Sequence, residues 1–233
     1  MFGGKYRKAL TFSYDDGVTQ DIRLIALFDK YGVRGTFNLN SGLLGQPGEL
    51  LREGKVVSHR KNRPDEVRQI YARHEVAGHT LTHPNLTQIG DPDEVVRQAE
   101  KDRLALSALV GYEVRGFAYP CGGTNHDRRV ETLLRERTGI RYARTIESSG
   151  SFALPSDPYA LRPTVYHHHG FEEMMRLGRQ FVAAEPEEDM LFYVWGHAYE
   201  FDIFDDWDRM ERFLALVSGR DDVFYGTNSE CLL

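Results

Sequence analysis

The sequence lacks the features that would place it in a membrane or stabilise it through disulfides. Its 233 residues contain two cysteines, Cys121 and Cys231, which can form at most one bridge and cannot build a disulfide framework. The longest apolar runs, such as Met190 to Trp195, are far shorter than the roughly 20 residues that cross a bilayer. We therefore expect no transmembrane helix and a reducing compartment.

An excess of basic residues is also missing. The formal net charge is -6 and charges of both signs are interspersed, so no basic stripe is present for a phosphate backbone. Residues 1–16 carry positive charges but no apolar segment of the kind found in a signal peptide. We expect no nucleic-acid partner, no membrane partner and a cytoplasmic location.

What the sequence does contain is enough apolar material for one substantial core. With 41% hydrophobic and 12% aromatic residues, we predict a single domain over residues 1–233. Apolar and β-branched runs alternate with segments of helical period, and no long polar linker intervenes. The alternation favours the α/β class and a single-domain distorted (β/α) barrel of about seven parallel strands.

The positions of these elements indicate where a site would lie. The predicted strands are 8–14, 35–40, 115–119, 140–145, 190–196 and 223–225. The predicted helices are 19–31, 64–74, 91–110, 127–138, 171–184 and 206–219. In such barrels the chemistry lies where strands end and loops begin, so polar residues at strand ends are the candidates.

Two strand ends carry ionisable residues. Asp15 and Asp16 end the first predicted strand, and His197 ends the most apolar one. Adjacent carboxylates are costly to hold together unless a cation or a shared proton compensates them. The motif D-D-G taken alone suits a solvated turn equally well.

The stretch H-T-L-T-H places His79 and His83 just before Pro84. Alone, the pair suits either metal ligands or two buried core side chains. One or two aspartates with two histidines form a suitable shell for a borderline divalent metal such as zinc, with a position left open for water. Because no glutamate lies between these histidines, a general base must come from elsewhere, and the pair Asp15-Asp16 is the candidate.

Three motifs together resemble the polysaccharide deacetylases, carbohydrate esterase family 4. They are S-Y-D-D-G (13–17), R-G-T-F-N (34–38) and A-G-H-T-L-T-H-P-N-L (77–86), in that order along the chain. The roles that the resemblance implies are catalytic base for Asp15, metal ligands for Asp16, His79 and His83, and general acid for His197. The implied cofactor is a divalent metal, with Zn2+ as our choice.

The resemblance also implies a reaction. A metal would activate water and polarise the acyl carbonyl, Asp15 would take the proton of the water, and His197 would protonate the leaving amine. The backbone N–H of Cys121, two residues after Tyr119, would help to hold the oxyanion. We predict that Tyr119 and Trp195 belong to the substrate-binding wall.

The sequence departs from the family pattern at two points. The family usually has an arginine beside the base where this chain has Ala118. We predict that Arg144, in Y-A-R-T, supplies the guanidinium, with Arg162, in R-P-T, as second choice. The usual aspartate that orients the acid histidine is not evident either, and Asp202 is a candidate for that task.

The run His167-His168-His169 has three interpretations: a solvated loop, which we favour, a second metal site, or a substrate contact. We assign His59, His74 and His126 to the surface or core without function.

Three functions fit the sequence. The first is removal of N-acetyl groups, or O-acetyl groups, from a sugar or glycan. The second is hydrolysis of a small non-sugar amide or ureide on the same fold. The third is carbohydrate binding without catalysis, against which the presence of both Asp15 and His197 argues.

Overall fold

A computed structural model of the protein describes residues 1–168 and 171–233. Across these residues, ten strands are found, and eight of them form one sheet in which every pairing is parallel. The strands are β1 (Lys8–Asp15), β2 (Gly35–Leu39), β3 (Glu49–Arg52), β4 (Lys55–Ser58), β5 (Glu75–Gly78), β6 (Gly116–Ala118), β7 (Tyr142–Arg144), β8 (Val165–Tyr166), β9 (Met190–His197) and β10 (Val223–Tyr225).

Helices connect most of these strands. They are α1 (Asp21–Lys30), α2 (Val67–Ile70), α3 (Pro92–Val110), α4 (Arg128–Arg137), α5 (Phe171–Ala183), α6 (Glu200–Phe204), α7 (Trp207–Val217) and α8 (Asn228–Leu232). The longest helix, α3, begins after Asp91, whose side chain accepts the backbone N–H of Asp93, and ends at Gly111 in the left-handed region. None of the described helices is long and apolar enough to span a bilayer. The cytoplasmic location stays a prediction.

The sheet curls into the predicted distorted (β/α) barrel. Its strand order is β7-β6-β5-β2-β1-β9-β8, and β10 pairs with the first half of β1 beside β2. All eight residues of β1 are buried, as expected for a central parallel strand that is covered on both sides. The predicted alternation of strands and helices is therefore confirmed, with seven strands on the main path and an eighth attached to it.

The residues between β7 and β8 bring the two ends of the sheet together. Leu161 exchanges backbone hydrogen bonds with Ala143 and Thr145 on the β7 side. Three residues later, the N–H of Thr164 donates to the carbonyl of Tyr193 in β9. The segment thus runs from one edge of the sheet to the other, and the loops at the carboxyl ends of all strands face one mouth.

Several features differ from the sequence prediction. The strands β5 and β8, the hairpin β3–β4 and the helices α6 and α8 were not predicted, because each is short and carries little apolar periodicity. The predicted helix 64–74 forms only at Val67–Ile70. Its last part turns inward instead, which allows Nδ1 of His74 to accept the N–H of Gly35 in β2.

Candidate active site

The carboxyl ends of β1, β5 and β9 bring three of the predicted residues together. Asp15 and His197 are register partners at the ends of the adjacent strands β1 and β9. His79 follows β5, and its Nε2 lies 3.9 Å from Oδ2 of Asp15. Nε2 of His197 lies 4.0 Å from that same oxygen on the other side. The Asp15 carboxylate therefore lies between two imidazoles at the barrel mouth.

Asp16, His79 and His83 form the one group among the described residues whose side chains could hold a metal ion. One ligand atom from each lies within 4.8 Å of the others. Nδ1 of His79 is 2.8 Å from the carbonyl oxygen of Ala118, which fixes the ring and leaves Nε2 for a metal. Burial lowers the pKa of His79 to about 4, so the ring is neutral, the form that binds cations. The donor set fits a borderline divalent metal.

Strained backbone marks the loops that carry these ligands. Among described non-glycine residues, φ is positive at six positions, and four of them belong to this site: Asp16, Thr80, His83 and Cys121. The Thr80 hydroxyl accepts the N–H of His83 and so closes the turn between the two histidines. Left-handed conformations at such residues persist only where surrounding contacts hold them.

Asp102, which the sequence analysis did not identify, supplies some of those contacts. Its carboxylate, fully buried on α3, accepts the backbone N–H groups of Ser41 and His79 at 2.7 and 2.9 Å. Burial raises its pKa to about 7 even though these hydrogen bonds oppose the shift. An aspartate inside a long amphipathic helix gives no sequence signal that it faces a loop.

Arg144 lies against Asp15, at the position proposed for the missing arginine. Nη2 of Arg144 is 2.5 Å from both carboxylate oxygens, and its Nε donates to the Ser13 hydroxyl. The guanidinium stacks over Trp195, with 4.4 Å from Cζ to the ring centroid. Burial would raise the pKa of Asp15, but Arg144, with His79 and His197, lowers it below 3.8.

Arg162, the second choice for that position, lies elsewhere. Its side chain is 55% exposed, its Nε is 3.6 Å from Glu147, and it does not contact Asp15. Its Nη2 donates to the carbonyl of Ser148 instead.

Glu200, rather than Asp202, is the acidic residue next to His197. One Glu200 oxygen is 3.1 Å from the backbone N and 3.3 Å from Nδ1 of His197. Asp202 instead accepts from Gln20 and from the indole N–H of Trp207. Burial would lower the pKa of His197, but the Glu200, Asp15 and Asp16 carboxylates raise it to about 9. The ring is therefore protonated at neutral pH.

The favoured interpretation of the histidine run was wrong for His167, which is buried and not solvated. Its Nε2 is 2.8 Å from Glu200, and its Nδ1 is 2.9 Å from the hydroxyl of Tyr14. His168 stacks on Phe204 and lines the central cavity. His169 lies outside the described residues. Because the residues of this run are of one type, the sequence gives no indication that His167 and His168 have different surroundings.

His59 was assigned no function, yet it lies at the site. Its Nε2 is 3.2 Å from Oδ2 of Asp16, and Nζ of the nearly buried Lys61 is 3.5 Å from Oδ1. Burial would raise the pKa of Asp16, but His59 and Lys61 hold it well below 3.8. His74 and His126, the other two histidines to which we assigned no function, do not line the cavity. The adjacent aspartates of D-D-G are thus compensated separately, Asp15 by Arg144 and Asp16 by these two residues.

These residues line a cavity of about 580 Å³, within the range of small-molecule sites. Tyr119, Cys121 and Trp195 form part of its wall, together with Tyr166 and Tyr199. The Tyr119 hydroxyl donates to the carbonyl of Tyr159 and so points away from the cavity, leaving its ring as the contact surface. Trp195 packs its indole against Tyr166, with centroids 4.4 Å apart.

A comparison with known families decides the membership of the chain. The model of the polysaccharide deacetylase family matches residues 3–143, more than half of the chain. The chain belongs to the polysaccharide deacetylase family. The family consists of hydrolases that remove acetyl groups from polysaccharides, and its members are generally metal-dependent. The matched range contains Asp15, Asp16, His79 and His83, and also the departure at Ala118.

Solved structures share the fold of this polysaccharide deacetylase at low sequence identity. A Mycobacterium smegmatis protein described as a polysaccharide deacetylase is 18% identical, with a TM-score of 0.70 over 100% of this chain and 91% of its own. Puue allantoinase is 12% identical, with a TM-score of 0.70 over 98% and 90%. A family 4 carbohydrate esterase from Streptomyces lividans, solved with acetate, is 15% identical, with a TM-score of 0.61 over 97% and 95%.

Proposed function

We propose that this polysaccharide deacetylase is a metal-dependent hydrolase that removes N-acetyl groups, and secondarily O-acetyl groups, from a sugar or glycan. The observation that carries the proposal is the meeting of the Asp16, His79 and His83 group with the Asp15–Arg144 pair at one cavity. Zinc is the metal that we propose, since two imidazoles and one carboxylate suit it. When bound, it supplies Lewis acidity to a water molecule and to the acyl carbonyl.

Asp15 is the general base in this proposal. Its low pKa keeps it ionised, and Arg144 fixes the direction of the carboxylate by a two-oxygen contact. The proton of the attacking water passes to this carboxylate during attack on the acyl carbon. Because Arg144 disfavours protonation of Asp15, this carboxylate stays ionised at neutral pH and can accept the proton of the water.

His197 is the general acid. Its raised pKa, about 9, means that it carries a proton to donate to the leaving nitrogen. Glu200 holds the ring through Nδ1, so that Nε2 faces Asp15 and the cavity. The backbone N–H of Cys121, which has no acceptor within residues 1–168 and 171–233, supports the proposed hydrogen bond to the oxyanion.

The test combines metal analysis with an acetate-release screen over N- and O-acetylated saccharides and small amides. We expect Asp16→Ala, His79→Ala and His83→Ala each to lose metal. Asp15→Asn should keep metal and lose about 10²- to 10⁴-fold in turnover, because it removes only the base. Full metal stoichiometry in both histidine variants would contradict the site. Turnover of ureides without acetate release would favour the second function, and metal binding with no turnover the third.

A further inference from the structure

A second cavity lies beside the candidate metal group and shares a wall with the first. It has a volume of about 330 Å³, and Asp16, Arg52, His83 and Tyr199 border both cavities. We call it the flanking subsite. Because two metal-ligand candidates form the common wall, a molecule whose acyl group reaches Asp15 can extend directly into this space.

Basic side chains converge on the flanking subsite. Arg52, His59 and Lys61 all line it, whereas the overall net charge of the protein is -6. The acidic residue at its wall is Asp16, and Glu53, next to Arg52, lines only the main cavity. Two cations, Arg52 and Lys61, in an otherwise acidic molecule attract an anionic ligand to this point.

The hairpin β3–β4 places Arg52 at the junction of the two cavities. Arg52 is the last residue of β3, and the chain reverses through Glu53, whose φ of 48° is left-handed. Within the described parts of the chain, its guanidinium forms no ion pair and no hydrogen bond. An exposed guanidinium at a cavity rim is suited to two-point contact with a carboxylate or a phosphate.

Lys61 is held inside the subsite by its backbone, and within the described residues its ammonium has one ion-pair partner, Asp16, which His59 also contacts. Its N–H donates to the carbonyl of Gln46, and its Nζ is 3.5 Å from Asp16 and 3.5 Å from His59. Asp16 is also the carboxylate that we assign to the metal. Because the charge of Asp16 would then be neutralised by the metal, the Lys61 ammonium is left to pair with an anion from the ligand.

We propose that the flanking subsite binds an anionic substituent of the substrate, so that the enzyme prefers acylated saccharides carrying a carboxylate or a phosphate. The proposal rests on the deacetylase function above for the identity of the substrate. Arg52 makes the outer contact and Lys61 the inner one, while the acyl group lies between Asp15 and His197. Neutral glycans lack the group that these two cations are placed to bind.

The test measures binding rather than turnover, so it does not depend on catalysis. Calorimetric titration of the zinc-loaded protein compares glucosamine, glucosamine 6-phosphate and muramic acid, which carry no anion, a phosphate and a carboxylate. We expect the anionic sugars to bind at least about tenfold more tightly than glucosamine, with the advantage falling as salt is raised. The sugar that binds more tightly identifies which anion the subsite takes.

Arg52→Gln should reduce the anionic advantage about tenfold, and Arg52→Glu should abolish it. Arg60→Gln is the matched control, because it removes the same charge from the same segment at an exposed residue that lines neither cavity. Equal binding of all three sugars, or no binding of any, would overturn the inference. So would an advantage that is the same in Arg52→Gln and Arg60→Gln, since Arg52 would then make no contact with the anion.

The two proposals fail in different ways. A protein that prefers anionic sugars but releases no acetate from any of their acetylated forms would contradict only the deacetylase assignment. A protein that releases acetate yet shows no preference in the titration would contradict only the subsite.

Discussion

Arg144 reaches Asp15 from the opposite wall of the barrel. The sheet order separates β7 from β1 by three strands, so the guanidinium crosses the barrel interior to contact the carboxylate. It is fully buried, and Trp195 and Ser13 fix its path. A guanidinium on β7 thus makes the contact with Asp15 that Ala118 cannot make.

Removal of Arg144 should change the acidic limb of the pH–rate profile. A nearby cation lowers the pKa of an aspartate, so Arg144→Ala should raise the pKa of Asp15 and move the acidic limb upward by about one to three units. The measurement is kcat/KM against pH, which reports the free enzyme. Arg144→Lys should give a smaller movement because it keeps the charge without the two-oxygen contact.

Arg162→Ala is the control, since Arg162 is exposed and pairs with Glu147 instead. It should retain the wild-type acidic limb. If Arg144→Ala also retains both the rate and the acidic limb, then Asp15 works without an arginine partner.

Replacement of His197 should affect substrates according to their leaving groups. A general acid is needed when a poor amine leaving group departs, and much less when an activated ester does. We expect His197→Ala to reduce turnover of N-acetyl substrates far more than turnover of a nitrophenyl acetate ester. Asp15→Asn serves as the comparison, because loss of the base should affect both substrates. Equal losses on both substrates in His197→Ala would indicate a structural or metal-ligand role.

At the scale of elements, sequence periodicity located the long segments and missed the short ones. The strands β1 and β9 and the helix α3 were predicted within one residue at each end, because their apolar patterns extend over several turns or pleats. The elements β8 and α6 have two and five residues and show no period. Glu200 lies in α6, and His167 follows β8. The sequence therefore gives no indication of Glu200, which contacts His197, or of His167, which contacts Glu200.

The loops of the site were predictable in composition and not in shape. The resemblance to the deacetylase motifs placed the pair His79 and His83 with Asp16, although the strand β5 that precedes His79 was not predicted. Their approach depends on left-handed backbone at Thr80 and His83, and the β-branched side chain of Thr80 disfavours that conformation. Tertiary contacts, such as the hydrogen bond from the N–H of His79 to Asp102, decide it.

The turn before β5 contains a buried histidine whose titration should affect stability. Burial lowers the pKa of His74 to about 4 from 6.5, although the Asp29 carboxylate opposes the shift. Below pH 6.5 the unfolded chain therefore binds a proton that the folded protein excludes, and stability falls between pH 6.5 and pH 4. The loss is at most about 3 kcal/mol.

His74→Asn removes this titration while an amide oxygen can still accept the N–H of Gly35. We expect the variant to be less stable than wild type at pH 7, since it loses ring packing against Phe28 and Phe37, and to lose less stability on acidification. Urea unfolding in the presence of a chelator, at several pH values from 7 to 4, measures both slopes. Parallel slopes would show that His74 titrates in the folded protein as it does in the unfolded chain.

At the scale of the whole molecule, class and architecture followed from the alternation of elements, and the exact strand order did not. Helices between strands predict parallel pairing, because a parallel crossover needs a connection of that length. The position of β10 beside β2 on the same edge of β1 depends on how far the last helices carry the chain. The local sequence pattern of strands and helices gives no information about that distance.

The central position of β1 has a consequence for the order in which the protein acquires its structure. Lys8 is the register partner of Met190 on one side and of Val223 on the other, so the first part of β1 is paired only after β9 has been synthesised, whereas its last four residues pair with the early strand β2. Contacts between such distant residues slow folding, because loop-closure entropy is lost before the pairing compensates for it. Until then Ala9 and Leu10, which are fully buried in the folded protein, lack their partners in β9 and β10. During synthesis, this part of β1 therefore presents unpaired backbone and apolar side chains to other segments of the nascent chain.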